Sequence, residues 1–310
     1  VGSLEVGEPS VLGPDAQLPD GKTPAWVLAD PAPETQRQKS IKERGANPCF
    51  APEPGFGSYT GWDRSPSMGQ MIVPKDLKLG PRGEFKVFFH FHGHDPARKA
   101  WVQAMHDTVL VGIDLGIGSL NYTTKFQLKE EFERLLASVE QAVAEQTGTR
   151  GAHAGRIGLS SWSAGYGAVG QVLRQRELAD KVDTVVLLDG LHTGLEGSVL
   201  DGGRLSPFVD FAERAARGEK LMFVSHSSII PPGYASTTQT AKYLIWRMGG
   251  SPEESYSRAG DPLGLDMISR YSRGGFHVRG YAGNDTLDHC AQLSLYKDVL
   301  RTHVAPRWEQ

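Results

Sequence analysis

The chain has 310 residues, 39% of them hydrophobic and 22% charged, enough apolar material for one large α/β domain or two small ones. A net charge of -3 gives no electrostatic case for nucleic acid or an anionic membrane as a partner. No apolar run is long enough to span a bilayer.

The sequence starts at Val1 with neither a methionine nor a signal peptide. A removed leader and a trimmed chain both remain open, and a secreted or periplasmic location is the favoured reading. Residues 1–60 carry a weak apolar pattern, and 11 of the 19 prolines fall before residue 75. Pro31-Ala32-Pro33 and Pro52-Glu53-Pro54 read as extended or turning chain, so this part is expected to be an arm lying on, or trailing from, a main domain over 61–310. A loose tail is an equal reading for residues 1–20.

From Gln70 the pattern changes. Gln70–Pro74, Lys86–Phe91 and Thr108–Asp114 read as strands, with a helix over Pro96–His106. Phe126, Phe132, Leu135, Leu136, Val139 and Val143 then recur at helical spacing. The apolar run of Arg156–Ser160 predicts a buried strand, and Ala168, Val169, Val172 and Leu173 predict a helix soon after it. Asp183–Leu188 and Lys220–Val224 are further strands, separated by a helix near 206–217. Residues 227–275 form a long interval with a helix at 237–248, for which Ser236 is a plausible N-cap. Because it is inserted between the last two strands, the interval is a candidate lid. Strand Phe276–Tyr281, a loop to Asp288 and a helix from about His289 to Thr302 close the chain. Such alternation predicts an α/β fold, a mostly parallel sheet with helices on both faces.

Between the Arg156–Ser160 strand and its helix stands Ser161-Trp162-Ser163-Ala164-Gly165. A serine flanked at two residues on either side by small residues, on a strand-to-helix turn, is the pattern of a nucleophile elbow. The turn lifts the Ser163 hydroxyl clear of the sheet, where the Ala164 amide can donate to a developing oxyanion. A serine nucleophile needs a base and a group to orient that base. Loops at strand carboxyl ends supply candidates: His289 after the last strand, Asp189 after Val185–Leu188, and His92-Gly93-His94 after Phe88–Phe91.

In this order of parts the chain resembles the α/β-hydrolase superfamily, of serine esterase or lipase type, over roughly residues 68–304. The resemblance implies Ser163 as nucleophile, His289 as general base, and the amides of Ala164 and His94 as oxyanion donors. It also implies an ester substrate, small or polymer-derived, with an amide as the lesser alternative, and no cofactor. Two positions depart from the pattern. Ser161 replaces the first elbow glycine. The strand that carries the acid in most of the family runs here into Ser225-His226-Ser227-Ser228, without a carboxylate. A minority carries the acid one strand earlier, where Asp189 stands; Asp285 and Asp288 are its rivals.

His90-Phe91-His92-Gly93-His94-Asp95 offers a different chemistry. Strand alternation would put His90 and His92 on one face with His94 nearby, as a metal-dependent hydrolase would want. A non-catalytic binding protein on the same fold is the third reading. Trp162, Tyr166, Tyr234 and His226 are candidates for lining a substrate pocket, and His192 for a supporting group. In an exported protein a Cys49–Cys290 bridge would pin the arm beside the loop of His289; two unrelated thiols are the alternative.

Overall fold

The computed structural model describes residues 23–197, 199–258 and 261–309. The tail expected over residues 1–20 lies outside the described residues. The arm holds two short helices, α1 (Ala25–Leu28) and α2 (Ile41–Arg44), with a single 3-10 turn at Pro33–Thr35 between them that Pro33 opens. A capping box between Ser40 and Glu43 opens α2, and Gly45 closes it in the left-handed region. The arm is tied down along its length. Gln36 Nε2 donates to the Ser228 carbonyl at 2.7 Å, the Gly283 amide donates to the Thr35 carbonyl at 2.9 Å, and Cys49 is bridged to Cys290.

The rest of the chain alternates strands and helices. Strand β1 (Gln70–Ile72) leads to β2 (Glu84–Phe91), helix α3 (His94–Trp101), β3 (Val109–Ile113), α4 (Ser119–Phe126) and α5 (Lys129–Thr147). Strand β4 (His153–Trp162) runs through a single 3-10 turn into α6 (Tyr166–Arg174), then α7 (Arg176–Lys181) and β5 (Val182–Leu188). A small hairpin, β6 (Leu195–Glu196) and β7 (Val199–Leu200), precedes α8 (Gly202–Ala216) and β8 (Leu221–His226). Helix α9 (Thr237–Arg247), β9 (Glu253–Glu254), β10 (Met267–Arg273) and β11 (Phe276–Tyr281) follow. Helices α10 (Thr286–Ser294), α11 (Tyr296–Val299) and α12 (Ala305–Trp308) close the chain, with a wider π turn at Leu300–Val304.

Nine strands form one sheet in the order β1-β3-β2-β4-β5-β8-β11-β10-β9. The six from β3 to β11 run parallel; β1 at one edge and β10 and β9 at the other are antiparallel. Side chains alternate across the sheet. Val87, Phe89 and Phe91 of β2 enter the apolar cluster beneath α4, α5, α6, α8 and α9, while Phe88 enters the cluster beneath α3 and α10–α12. Both faces being covered, the central strands need no polar side, hence their continuous apolar runs. Phe88 packs between fully buried Trp101 and Trp308 at 5.2 and 4.8 Å. Aromatic side chains so placed are worth about 3–5 kcal/mol each against alanine. Strand order, edge strand and helices on both faces together are the α/β-hydrolase fold.

Several boundaries differ from expectation. Helix α3 begins at His94, before Pro96, because Pro96 occupies its first turn, where a missing N–H costs nothing. Helix α8 begins at Gly202, capped by the Asp201 side chain. Helix α10 begins at Thr286 behind the cap of Asp285, so His289 sits in its first turn rather than opening it. Within the interval 227–275, β9 and β10 extend the sheet.

Candidate active site

All six parallel strands end on one edge of the sheet, so the chain segments following β2, β4, β5, β8 and β11 converge there. The turn after β4 is sharp enough to force Ser163 to φ +49°, left-handed backbone that a residue with a Cβ adopts only at a cost in energy. Neighbouring residues must then be small. A Cβ on Gly165 would lie 2.0 Å from the Phe91 carbonyl oxygen, and one on Gly190 would lie 2.3 Å from the carbonyl oxygen of Ser163 itself. Ser161 is fully buried, its hydroxyl without a hydrogen-bond partner among the described residues. It fits as a small side chain and makes no polar contribution there.

His289 Nδ1 lies 2.7 Å from Asp189 Oδ2. The aspartate is almost wholly buried, and its other oxygen, Oδ1, accepts from the Ser227 amide and the Thr237 hydroxyl, both at 2.8 Å. Burial by itself would raise the carboxyl pKa. The hydrogen bond and charge of His289, with the Ser227 and Thr237 donors, outweigh it and hold Asp189 at about 2. An ionised carboxylate only accepts, so the His289 proton sits on Nδ1 and Nε2 is left as a base. Asp285 and Asp288 are engaged elsewhere. Asp285 Oδ1 accepts from the Asp288 amide as the N-cap of α10, and Asp288 Oδ1 is paired with buried Arg44.

Trp162 links the serine turn to the histidine. Its indole lies stacked between His92 at 5.3 Å and His289 at 4.7 Å, and its Nε1 donates to the His289 carbonyl at 3.0 Å. Its ring faces and its N–H are thus taken up by the two histidines.

The loop after β2 is built differently from expectation. The strand ends at Phe91 and His92 takes φ +70°, so His90 and His92 do not share a face. His90 is fully buried, with Nε2 2.9 Å from the His92 carbonyl and Nδ1 2.9 Å from Ser160 Oγ, itself 2.8 Å from the Tyr296 hydroxyl. The carbonyl can only accept, which fixes the donor order: Tyr296 to Ser160, Ser160 to His90 Nδ1, His90 Nε2 to His92. Burial lowers the pKa of His90 to about 3, so it stays neutral in this chain. His92 Nδ1 and His94 Nδ1 instead meet Asp114 at 3.2 and 2.8 Å. Burial would raise the Asp114 carboxyl, but the two imidazoles and the Gly93 amide hold it well below the usual range. Among the described residues, no group of three or more His, Cys, Asp or Glu side chains is arranged to hold a metal ion. The Gly93 and His94 amides point at Asp114 from 3.3 and 3.4 Å, so the expected oxyanion donor at His94 is in contact with a carboxylate.

Tyr166 donates to Ser119 Oγ at 3.3 Å, and its ring meets His192 edge-on at 5.9 Å. On the other side of His192 stands Tyr234, 44% exposed, with ring centroids 5.0 Å apart. Burial lowers the pKa of His192, whose Nδ1 is 3.0 Å from the Ala235 carbonyl. His226 lines a cavity of 650 Å³ whose walls include neither Ser163, Asp189 nor His289. Asp114, Thr237 and the Ser227 amide were missed by sequence reasoning. Asp114 could have been found, because it follows a strand at the same carboxyl edge. A backbone amide carries no residue signature.

No protein-family model matches the chain, and no curated protein matches it. By structure it is similar to a poly(3-hydroxybutyrate) depolymerase from Bordetella parapertussis, at 13% identity and a TM-score of 0.41, over 74% of this chain and 82% of that one. It is also similar to an acylaminoacyl peptidase of Pyrococcus horikoshii, at 12% identity and a TM-score of 0.41, over 79% of this chain. A post-proline cleaving enzyme from Rickettsia typhi is similar at 10% identity and a TM-score of 0.37, over 80% of this chain. The matches span 42% and 38% of those two longer chains.

Proposed function

We propose that the protein is a serine hydrolase that cleaves a carboxylic ester, small or polymer-derived, through an acyl-enzyme. The observation that carries this reading is the bond from His289 Nδ1 to Asp189 Oδ2 at 2.7 Å, beside a serine held in strained backbone. Ser163 Oγ attacks the carbonyl carbon as His289 Nε2 takes its proton, and the imidazolium formed is stabilised by ionised Asp189. The proton then passes to the leaving alkoxide, and water repeats the sequence to release the acid. The Ala164 amide, at the start of the turn into α6, is the first oxyanion donor. The His94 amide is the second, because its contact with Asp114 at 3.4 Å is long for an N–H···O bond and yields to a closer oxyanion. Tyr166 and Tyr234 border the acyl side. An ester is assigned over an amide by analogy with how often this fold carries ester chemistry.

The test is labelling with a fluorophosphonate probe and mapping of the modified residue, alongside turnover of p-nitrophenyl butyrate and of a p-nitroanilide. Ser163 is expected to carry the label, Ser163→Ala to abolish both labelling and ester turnover, and the anilide to be cleaved far more slowly. Label on another serine, or wild-type turnover in Ser163→Ala, overturns the assignment. No labelling and no turnover favour a binding protein.

A further inference from the structure

The cavity that holds His226 lies on the α9 side of the sheet, between the arm at 31–37, the start of α9 and the edge strands β9 and β10. Three strands bring three residues into one row there: His226 on β8 is in register with Gly280 on β11, which is in register with Ser269 on β10. The middle member has no side chain. A Cβ on Gly280 would lie 2.3 Å from Ser269 Oγ and 2.5 Å from His226 Nε2, so the two side chains lean together over the glycine and leave it no room for a side chain.

The tautomer of His226 follows from its neighbour. Thr238 Oγ1 donates its one hydrogen to the Ser227 carbonyl at 2.7 Å. Toward His226 Nδ1, 3.0 Å away, it can therefore only accept, and the ring proton is on Nδ1. Burial pushes the His226 pKa down to about 4, so near neutrality the ring is uncharged. Nε2 is thus an unprotonated acceptor on a side chain that is 3% exposed and lines the cavity. Ser269 lines the same cavity. Neither His226 Nε2 nor Ser269 Oγ is cut off from water, so an occupant of the cavity would take the place of solvent at Nε2.

The surrounding walls narrow the occupant. Pro31, Ala32, Pro252, Met267 and Ile268 make them largely apolar. Charges at the rim are mixed in sign: Arg37 pairs with Asp266 at 2.9 Å, Lys242 donates to the Ala29 carbonyl at 3.0 Å, and Glu34 and Glu254 stand nearby. Neither a cation nor an anion is selected.

We propose that this cavity is a second binding site, for a small, largely apolar molecule carrying one neutral O–H or N–H donor, which His226 Nε2 accepts above Gly280. The inference does not depend on the reaction proposed for Ser163.

Phenol is the probe and anisole, its methyl ether without a donor, the control. Both are titrated into the full chain while the ¹⁵N resonance of His226 Nε2, assigned by its loss in His226→Phe, is followed by NMR. Phenol is expected to move that resonance saturably and to bind about fivefold tighter than anisole, the effect of one net hydrogen bond. Ala32→Trp, which fills the cavity from the arm side, is expected to abolish the shift whether or not His226→Phe folds. An unmoved Nε2 resonance, equal affinities for the two probes, or an unchanged shift in Ala32→Trp overturns the proposal.

Discussion

Three aspartates compete on paper for one imidazole, and their surroundings separate them. Asp285 caps α10, Asp288 is paired with buried Arg44, and Asp189 reaches His289 at 2.7 Å. The three should fail in different ways. Asp189→Asn is expected to lower ester turnover roughly a thousandfold or more, because the amide favours the wrong tautomer of His289, with little loss of stability. Asp288→Asn strips the counter-charge from a buried guanidinium and is expected to cost about 3–5 kcal/mol in denaturant unfolding, with turnover per folded molecule within a few-fold. If Asp288→Asn loses turnover while Asp189→Asn keeps it, the roles are reversed. At this scale the sequence is informative where a side chain or a tight turn leaves its own signature, as at the turn of Ser163-Ala164-Gly165 and at Asp189, which meets His289. It is silent where the partner is backbone, as at the Ser227 amide, or where a neighbouring strand delivers an unforeseen group, as Asp114 does to the His94 amide.

Among the elements, α10 has the most external support. It carries Asp288, His289 and Cys290 in succession near its start; the arm grips the first through Arg44 and the third through Cys49. The bridge closes a sequence separation of 241 residues, and loss of a native bridge typically costs about 2–5 kcal/mol. Cys49→Ser with Cys290→Ser is expected to lower Tm by several degrees and to reduce turnover, since the clamp beside His289 loosens. Equal melting curves with and without reductant, in protein whose thiols are shown to be freed, would rule this out. The parallel strands were legible because both their faces are buried. Strand β10 was not, because Ser269, Arg270, Ser272 and Arg273 lie in the antiparallel margin of the sheet, where apolar periodicity is not required.

For the molecule as a whole, several histidines are folded into neutral sites. Burial lowers His90 to about 3, His226 to about 4 and His303 to about 3, against about 6.5 in an unfolded chain. In that window the unfolded chain binds protons that the folded chain refuses, so stability is complete above about pH 6.5 and falls as pH drops toward the folded values. Each such histidine steepens the fall by up to about 1.4 kcal/mol per pH unit. Tm is therefore expected to drop sharply between pH 6 and pH 4, and His90→Gln, though less stable at pH 7, to show a shallower slope. A Tm independent of pH over that range would contradict it.

The placement of Asp189, the proposed acid, directly after β5 has a consequence for the strand beside it. With no carboxylate of its own to present, the end of β8 turns its Ser227 amide toward Asp189, and the first turn of α9 adds the Thr237 hydroxyl. The carboxylate is thus surrounded by dipoles that are already aligned and belong to the frame of the sheet. When His289 acquires its charge in the proposed reaction, little around Asp189 has to reorient, so the reorganisation energy that mobile solvent would demand at each turnover has been met once, in folding.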